Sequence, residues 1–211
     1  MNNNFLIESG VVASSIIAIV LLASLITFAI FSGKLGGDRK KKDQSVETIN
    51  ANLIKTLKRF SGLRDVELMG KTTLSFGGET FEFDAILLSY FGTIAVKNCY
   101  AQGEIYADSK EDNWVSINKD GKKSYFANPS SSTNGSVKFF KELYNAEKVK
   151  FGTSEAFIVF SARNVELYAG KSIDVYTLSS LEAKLTSDKY QQDKGADISA
   201  MKAALEKYTV R

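Results

Sequence analysis

The chain has 211 residues, of which 44% are hydrophobic and 24% charged, with a net charge of +3. These values exclude a disordered chain and fit one medium-sized domain plus an additional segment. The chain has no histidine and a single cysteine, Cys99. This excludes catalysis by histidine or by a Cys–His pair, an intrachain disulfide and imidazole-based metal sites.

The N-terminal region contains an apolar segment of membrane-spanning length. From Ser9 to Gly33 there are 25 consecutive residues without a charge. A helix over residues 11–32 spans about 33 Å, which is close to the thickness of the hydrocarbon layer. A signal peptide has a positive N-terminal region and a shorter apolar core, whereas here only Glu8 precedes the segment. The sequence therefore favours an uncleaved transmembrane helix over residues 11–32.

Charged residues next to this segment predict its orientation. Lys34 and the run from Arg39 to Lys42 follow the apolar segment, and no basic residue precedes it. The positive-inside rule then places residues 1–10 outside the cell and the rest of the chain in the cytoplasm. Residues 33–44 are expected to form a basic juxtamembrane linker. The expected location is the cell membrane, with a single pass, and the lipid bilayer is the expected partner.

The remaining sequence predicts alternating helices and strands. Residues 45–60 have helical periodicity, with Asp43 or Ser45 as the cap and Gly62 at the end. Strands are predicted, in chain order, at 65–69, 72–76, 80–88, 93–98, 104–107 and 114–117, with a turn at 77–78. A polar loop at 130–135, a helix at 137–149, strands at 156–160, 165–168 and 173–176, and a helix through 178–185 follow. This order predicts an α/β domain over residues 45–190, with a mixed sheet flanked by helices, and a C-terminal helix within residues 191–211.

Two predicted strands bring charged residues together. If the loop between strands 80–88 and 93–98 lets Leu88 oppose Thr93, Asp84 opposes Lys97 and Ile86 opposes Ala95. Because side chains alternate along a strand, Glu82 is expected on the same face as Asp84. Two acids and a lysine permit a metal-dependent phosphodiesterase, in which carboxylates bind Mg²⁺ and the lysine stabilises developing charge. A structural ion pair at a sheet edge explains the same residues.

A family resemblance appears at these residues. The motifs that carry it are Gly77-Gly78-Glu79-Thr80, Asp84, Gly92, Val96-Lys97-Asn98, Gly103, Trp114 and Asn128-Pro129, followed by Phe157–Ser161 and Asn164–Leu167. In order and spacing they resemble the NERD (nuclease-related domain) family, and the similar stretch runs from about residue 47 to residue 185. That family belongs to the PD-(D/E)XK superfamily. The resemblance therefore implies a restriction-endonuclease-like fold.

The resemblance also implies roles for individual residues. Asp84 matches the family's metal-binding aspartate and Lys97 the lysine of its Glu-x-Lys motif. Glu47 lies near an acidic residue that the family often has on the first helix. However, the glutamate of Glu-x-Lys is Ala95 here, and Ala85 stands where the family has a histidine. A glutamine that the family has after Asn-Pro is absent among Ser130, Ser131 and Ser132.

These departures leave two functions open. Either the domain is a degenerate nuclease fold that acts as a binding or scaffolding module at the cytoplasmic face, or it is an active Mg²⁺-dependent nuclease that cleaves DNA. In the second case Glu82 replaces the missing metal ligand beside Asp84, or Glu104 reaches in from the next strand. Mg²⁺ is expected as a cofactor only in an active enzyme, and nucleic acid is then a further partner.

Overall fold

The computed structural model describes residues 43–170 and 173–210. The predicted segments 1–10 and 11–32, and residues 33–42 of the predicted linker, lie outside the described residues. Among the residues that are described, no helix is long and apolar enough to cross a bilayer.

The first helix, α1, extends over Val46–Ser61, as the periodicity predicts. Ser45 is its N-cap, since the Ser45 side chain accepts a hydrogen bond from the backbone amide of Thr48, and Gly62 ends the helix. One face of α1 is apolar and buried, with the side chains of Ile49, Leu53, Leu57 and Phe60.

The other elements confirm a mixed α/β domain. The strands are β1 Val66–Met69, β2 Thr72–Phe76, β3 Glu79–Phe83, β4 Ala85–Ser89, β5 Gly92–Cys99, β6 Gly103–Ala107, β7 Asn113–Ile117, β8 Lys123–Ala127, β9 Thr153–Phe160, β10 Val165–Ala169 and β11 Val175–Thr177. The later helices are α2 Ser130–Ala146, α3 Leu178–Leu185, α4 Asp188–Gln191 and α5 Ile198–Lys207.

The central sheet has the strand order β1-β4-β5-β9-β11. Strand β4 pairs antiparallel with both β1 and β5, whereas β9 pairs parallel with β5 and β11 parallel with β9. Apolar residues of α1 and α3 cover one face, and those of α2 and α5 cover the other. Ile86 pairs with Ala95 and Leu88 with Thr93, so the predicted hairpin register is confirmed.

A second sheet of order β10-β6-β7-β8 packs one face on the ends of β9 and β11. Trp114, Ile105 and Phe160 form the centre of that contact and are fully buried. Strand β8 was not predicted, because its exposed polar residues lack the alternation that indicates a half-buried strand.

The predicted strand at 80–88 is wrong in one respect, because it is interrupted at Asp84. Strand β3 leaves the central sheet and pairs with β2 as a separate two-stranded hairpin, while β4 starts at Ala85. Strict alternation through Asp84 predicts that Phe83 and Ala85 lie on the same face of the sheet. In the structure Phe83 instead packs in the apolar cluster of Ile86, on the opposite face from Ala85. The bend at Asp84 resets the alternation.

The predicted loop at 130–135 is also wrong, because α2 begins at Ser130. The carbonyl oxygen of Pro129 accepts hydrogen bonds from the backbone amide and the hydroxyl of Thr133, which closes the first turn. Serine and threonine have low helix propensity, so the pattern indicates a loop. Burial of Thr133 and Ser136 against the domain stabilises the helical form instead.

Candidate functional site

The centre of the candidate site is the pair of Asp84 and Lys97. Asp84 lies at the bend between β3 and β4, and Lys97 lies near the end of β5. The ammonium nitrogen of Lys97 is 3.8 Å from Oδ2 of Asp84. The aspartate side chain is only 11% exposed and that of the lysine is 40% exposed. The structure thus brings together the two residues that the sequence places opposite each other.

A buried polar network holds Asp84. The backbone amide of Asn98 donates to Oδ2 of Asp84 over 2.8 Å. The side chain of Asn98 is buried, and its amide nitrogen donates to Oδ1 of Asn50 on α1 over 2.8 Å. The hydroxyl of Ser161, at the end of β9, lies 2.7 Å from Oδ1 of Asn98 and 2.8 Å from the carbonyl oxygen of Ile49. The network therefore joins the bend to α1 and to both central strands.

Ala95 stands where the sequence resemblance predicts a metal-binding glutamate. It lies two residues before Lys97 on the same face of β5 and pairs with Ile86 of β4. Ala95 is 3% exposed and belongs to the apolar cluster that includes Phe140. No carboxylate is present at this point of the strand. Ala95 packs in that cluster and also borders the groove that Lys97 lines.

Glu82 lies on β3, and its side chain is exposed. It lines a groove of about 240 Å³ together with Lys97. The hydroxyl-bearing residues Ser132, Thr133 and Ser136 of α2 line the same groove. Their hydroxyls donate to carbonyl oxygens of Pro129 and Thr133, so they reach the groove as hydrogen-bond acceptors.

The other predicted acids lie elsewhere. Glu104 is on β6 of the second sheet, where Oε2 accepts a hydrogen bond from the hydroxyl of Tyr106 over 2.9 Å. Glu47 is exposed in the first turn of α1, and hydrogen bonds from its own backbone amide and from Ser45 lower its pKa. In the part of the chain that the structure describes, no three acidic or cysteine side chains are grouped so that they could hold a metal ion.

The cysteine has no features of a nucleophile. Burial raises the pKa of the Cys99 thiol to about 12. A thiol with such a pKa stays protonated at neutral pH and reacts slowly. The geometry agrees with the interpretation of Cys99 as a partly buried strand residue.

The sequence does not predict the supporting role of Asn50, Asn98 and Ser161, although Asn98 and Ser161 lie in motifs that carry the family resemblance. The one usable signal is Asn98, a polar residue inside an otherwise apolar strand, which needs a partner when buried. Nothing in the periodicity of α1 or β9 indicates which residues supply that partner.

The fold is thus an α/β domain in which an aspartate at a strand break meets a lysine on the neighbouring strand, a layout of the nuclease-like class. The family model of the nuclease-related domain, NERD, matches residues 42–161. The match covers more than half of the chain, and the chain belongs to the NERD family. Comparisons with curated proteins and with solved structures gave no significant match.

Proposed function

We propose that this protein is a NERD-family domain without the metal-dependent phosphodiesterase centre, which acts as a binding or scaffolding module at the cytoplasmic face of the cell membrane. The observation that carries the proposal is the buried Ala95, two residues before Lys97 on the same face of β5. The sequence resemblance predicts a metal-binding glutamate at this position. A methyl group supplies no oxygen ligand for a cation.

The charges around Asp84 support the same conclusion. Its Oδ2 already accepts the backbone amide of Asn98 and lies next to the ammonium group of Lys97. Mg²⁺ needs oxygen ligands in near-octahedral geometry, usually one or two carboxylates together with waters and substrate phosphates. Asp84 offers a single carboxylate that is already engaged, and the described residues supply no group of three acids to extend it, so this donor set favours the loss of the Mg²⁺ site.

The proposed location rests on the sequence. The uncharged segment of residues 11–32 is long enough to cross a bilayer, and the basic residues follow it rather than precede it. A tether of this kind holds the α/β domain close to the membrane surface and restricts its partners to those that reach that surface.

Calorimetric titration of the full-length protein with Mg²⁺ and with Mn²⁺ tests the loss of the metal centre. We expect no saturable binding at millimolar concentrations and no cleavage of plasmid or single-stranded DNA. Asp84→Ala serves as the matched variant, because it removes the candidate metal ligand. Binding in the unmodified protein that disappears in Asp84→Ala would contradict the proposal.

One observation favours the alternative of an active nuclease, namely that Glu82 and Lys97 line the same groove. In that case Glu82 is the relocated carboxylate. Cleavage that depends on Mn²⁺ and is lost in both Glu82→Gln and Asp84→Asn would establish this alternative. Glu79→Gln is the matched control, because Glu79 is an exposed glutamate of the same strand.

A further inference from the structure

The outer face of the second sheet carries an unusual row of side chains. Tyr168, Tyr106, Val115 and Tyr125 are aligned by the strand register across all four strands. We call this row, together with the neighbouring Glu104 and Glu166, the tyrosine face. The opposite face of the sheet is apolar and packs on the central sheet, so the tyrosine face is turned away from that core.

The aromatic part of the tyrosine face is well exposed. Tyr106 and Tyr168 stack with ring centroids 4.9 Å apart and an interplanar angle of 11°. Their exposed fractions are 43% and 50%, and that of Tyr125 is 69%. Single exposed aromatic residues need no explanation, but a contiguous row of them is typical of an interaction surface.

Carboxylates flank the row on one side. Glu104 and Glu166 are neighbours in the register of two parallel strands, a like-charge arrangement that destabilises a sheet. The hydroxyls of Tyr106 and Tyr168 donate to these carboxylates over 2.9 Å and 3.4 Å. A cation bound between or above the two carboxylates would relieve this repulsion.

More carboxylates lie on the other side of the row. Asp108, Glu111 and Asp112 line a cleft of about 660 Å³ together with the three tyrosines. Every charged side chain that lines this cleft is acidic. Negative charge therefore borders the paired rings of β6 and β10 at both ends of these strands, whereas Lys123 on β8 lies two residues from Tyr125 at the Glu104 end.

The acidic loop between β6 and β7 is held by specific hydrogen bonds. The indole nitrogen of Trp114 donates to the carbonyl oxygen of Asp108 over 2.8 Å. The side chain of Asn128 donates to the carbonyl oxygen of Glu111 over 2.8 Å, and its backbone amide donates to that of Asp112 over 2.9 Å. These bonds fix the backbone that carries the three acids before any ligand arrives, which lowers the entropic cost of binding.

We propose that the tyrosine face and the cleft beside it bind a cationic peptide segment of a partner protein. Arginine or lysine side chains of that segment lie over the tyrosine rings and pair with the carboxylates on both sides. Single-stranded nucleic acid also stacks on aromatic rows, but its phosphates are repelled by the acids that border this one. The proposal goes beyond the function proposed above, because the tyrosine face is on a different sheet from Asp84 and Lys97 and does not depend on whether they are catalytic.

Fluorescence anisotropy with labelled octa-arginine and with labelled oligothymidine tests the proposal. The full-length protein is used in a nonionic detergent at low ionic strength, where exposed charges are least screened. We expect octa-arginine to bind. The double variant Glu111→Gln/Asp112→Asn should weaken binding about tenfold, and Tyr168→Leu about threefold.

The matched control is Glu79→Gln/Glu206→Gln, which removes the same charge from exposed positions outside the second sheet. We expect this control to bind octa-arginine as the unmodified protein does. Equal weakening by the control, or no binding of octa-arginine, would overturn the proposal. Tighter binding of oligothymidine that is lost in Tyr168→Leu would also overturn it, because the row would then serve nucleic acid.

Discussion

The carboxylate of Asp84 and the backbone amide of Asn98 are joined by a hydrogen bond of 2.8 Å across the bend that separates β3 from β4. Strand β4 begins only at Ala85, so it offers no backbone partner to the amide of Asn98 on β5. The side chain of Asp84 accepts that hydrogen bond instead. Asp84, which the resemblance matches to a metal-binding aspartate, therefore has a structural role in this NERD-family domain.

Asp84 should therefore matter more for stability than Lys97. Asp84→Ala leaves a buried amide of Asn98 without a partner, which costs about 1–3 kcal/mol. Lys97→Ala removes a side chain that is 40% exposed, and the expected loss is at most about 1 kcal/mol. Urea unfolding followed by circular dichroism measures both. A larger loss for Lys97→Ala would show that the ion pair, rather than the amide bond, is what Asp84 supplies.

Ala95→Glu introduces the glutamate that the sequence resemblance predicts at this position. Because Ala95 lies among apolar residues, we expect the variant to be less stable by at least about 2 kcal/mol in the absence of metal. Millimolar Mg²⁺ should recover part of this loss, since a cation bound only by the folded state stabilises it. Thermal unfolding with and without Mg²⁺ measures the effect, and Ala95→Gln is the control that adds the same bulk without a charge. If Mg²⁺ also restored the stability of the Ala95→Gln variant, the effect could not come from a cation shared by two carboxylates, one of them that of Asp84.

Gly92 should tolerate no side chain. Its φ is +138°, and a Cβ atom there would lie 1.9 Å from the carbonyl oxygen of Thr153 on the neighbouring strand. Gly92→Ala should therefore lose at least about 3 kcal/mol or fail to fold. Gly77, in the turn between β2 and β3, also has a positive φ of +62° but open space around it, so Gly77→Ala should lose about 1 kcal/mol. Similar losses in the two variants, measured by urea unfolding, would exclude the close strand contact as the cause.

The thiol of Cys99 should react slowly in the folded protein. Burial raises its pKa to about 12 from an ordinary value of 9.0, so its thiolate fraction at pH 8 falls about a thousandfold. Alkylation by iodoacetamide, followed by mass spectrometry, should be correspondingly slow and should become fast in urea. A rate in the folded protein within tenfold of the unfolded rate would contradict the burial.

The raised pKa of Cys99 also makes the stability of the folded protein depend on pH. The unfolded thiol ionises near pH 9, whereas the folded one keeps its proton to about pH 12. The contribution of Cys99 to stability is therefore fully present below pH 9 and is lost as the pH rises from 9 towards 12. The variant Cys99→Ser should show a smaller fall of the unfolding free energy over that range, because a serine hydroxyl does not ionise there.

Much of the site is local in origin and was predictable. The register of β4 and β5 follows from two apolar strands joined by a short loop, and it places Asp84 near Lys97. The bend at Asp84 was not predictable, because the sequence from Thr80 to Leu88 has an unbroken strand pattern. It arises because β3 pairs with β2 across the turn at 77–78 rather than with the central sheet, and the strand pattern does not indicate which partner β3 takes.

The positions of the two predicted acids, Glu82 and Glu104, also differ in how far the sequence predicts them. Glu82 reaches the groove of Lys97 because β3 directly precedes β4 in the chain, and β4 pairs with the strand that carries Lys97. Glu104 was expected to reach the site from the next strand, but β6 belongs to another sheet and pairs with β10, some 60 residues later in the chain. Pairing over such a distance leaves no signal in the local pattern of either strand.

The sequence by itself determined the apolar face of α1, the hairpin of β4 and β5, the family to which the chain belongs and the absence of a glutamate beside Lys97. Only the tertiary structure decided that Asp84 is held by Asn98, that Asn50 and Ser161 complete its buried network, and that the tyrosines of β6 and β10 lie side by side. The reason is physical: periodicity records which side of a segment is buried, whereas hydrogen-bond and strand partners depend on packing between segments that are far apart in the chain.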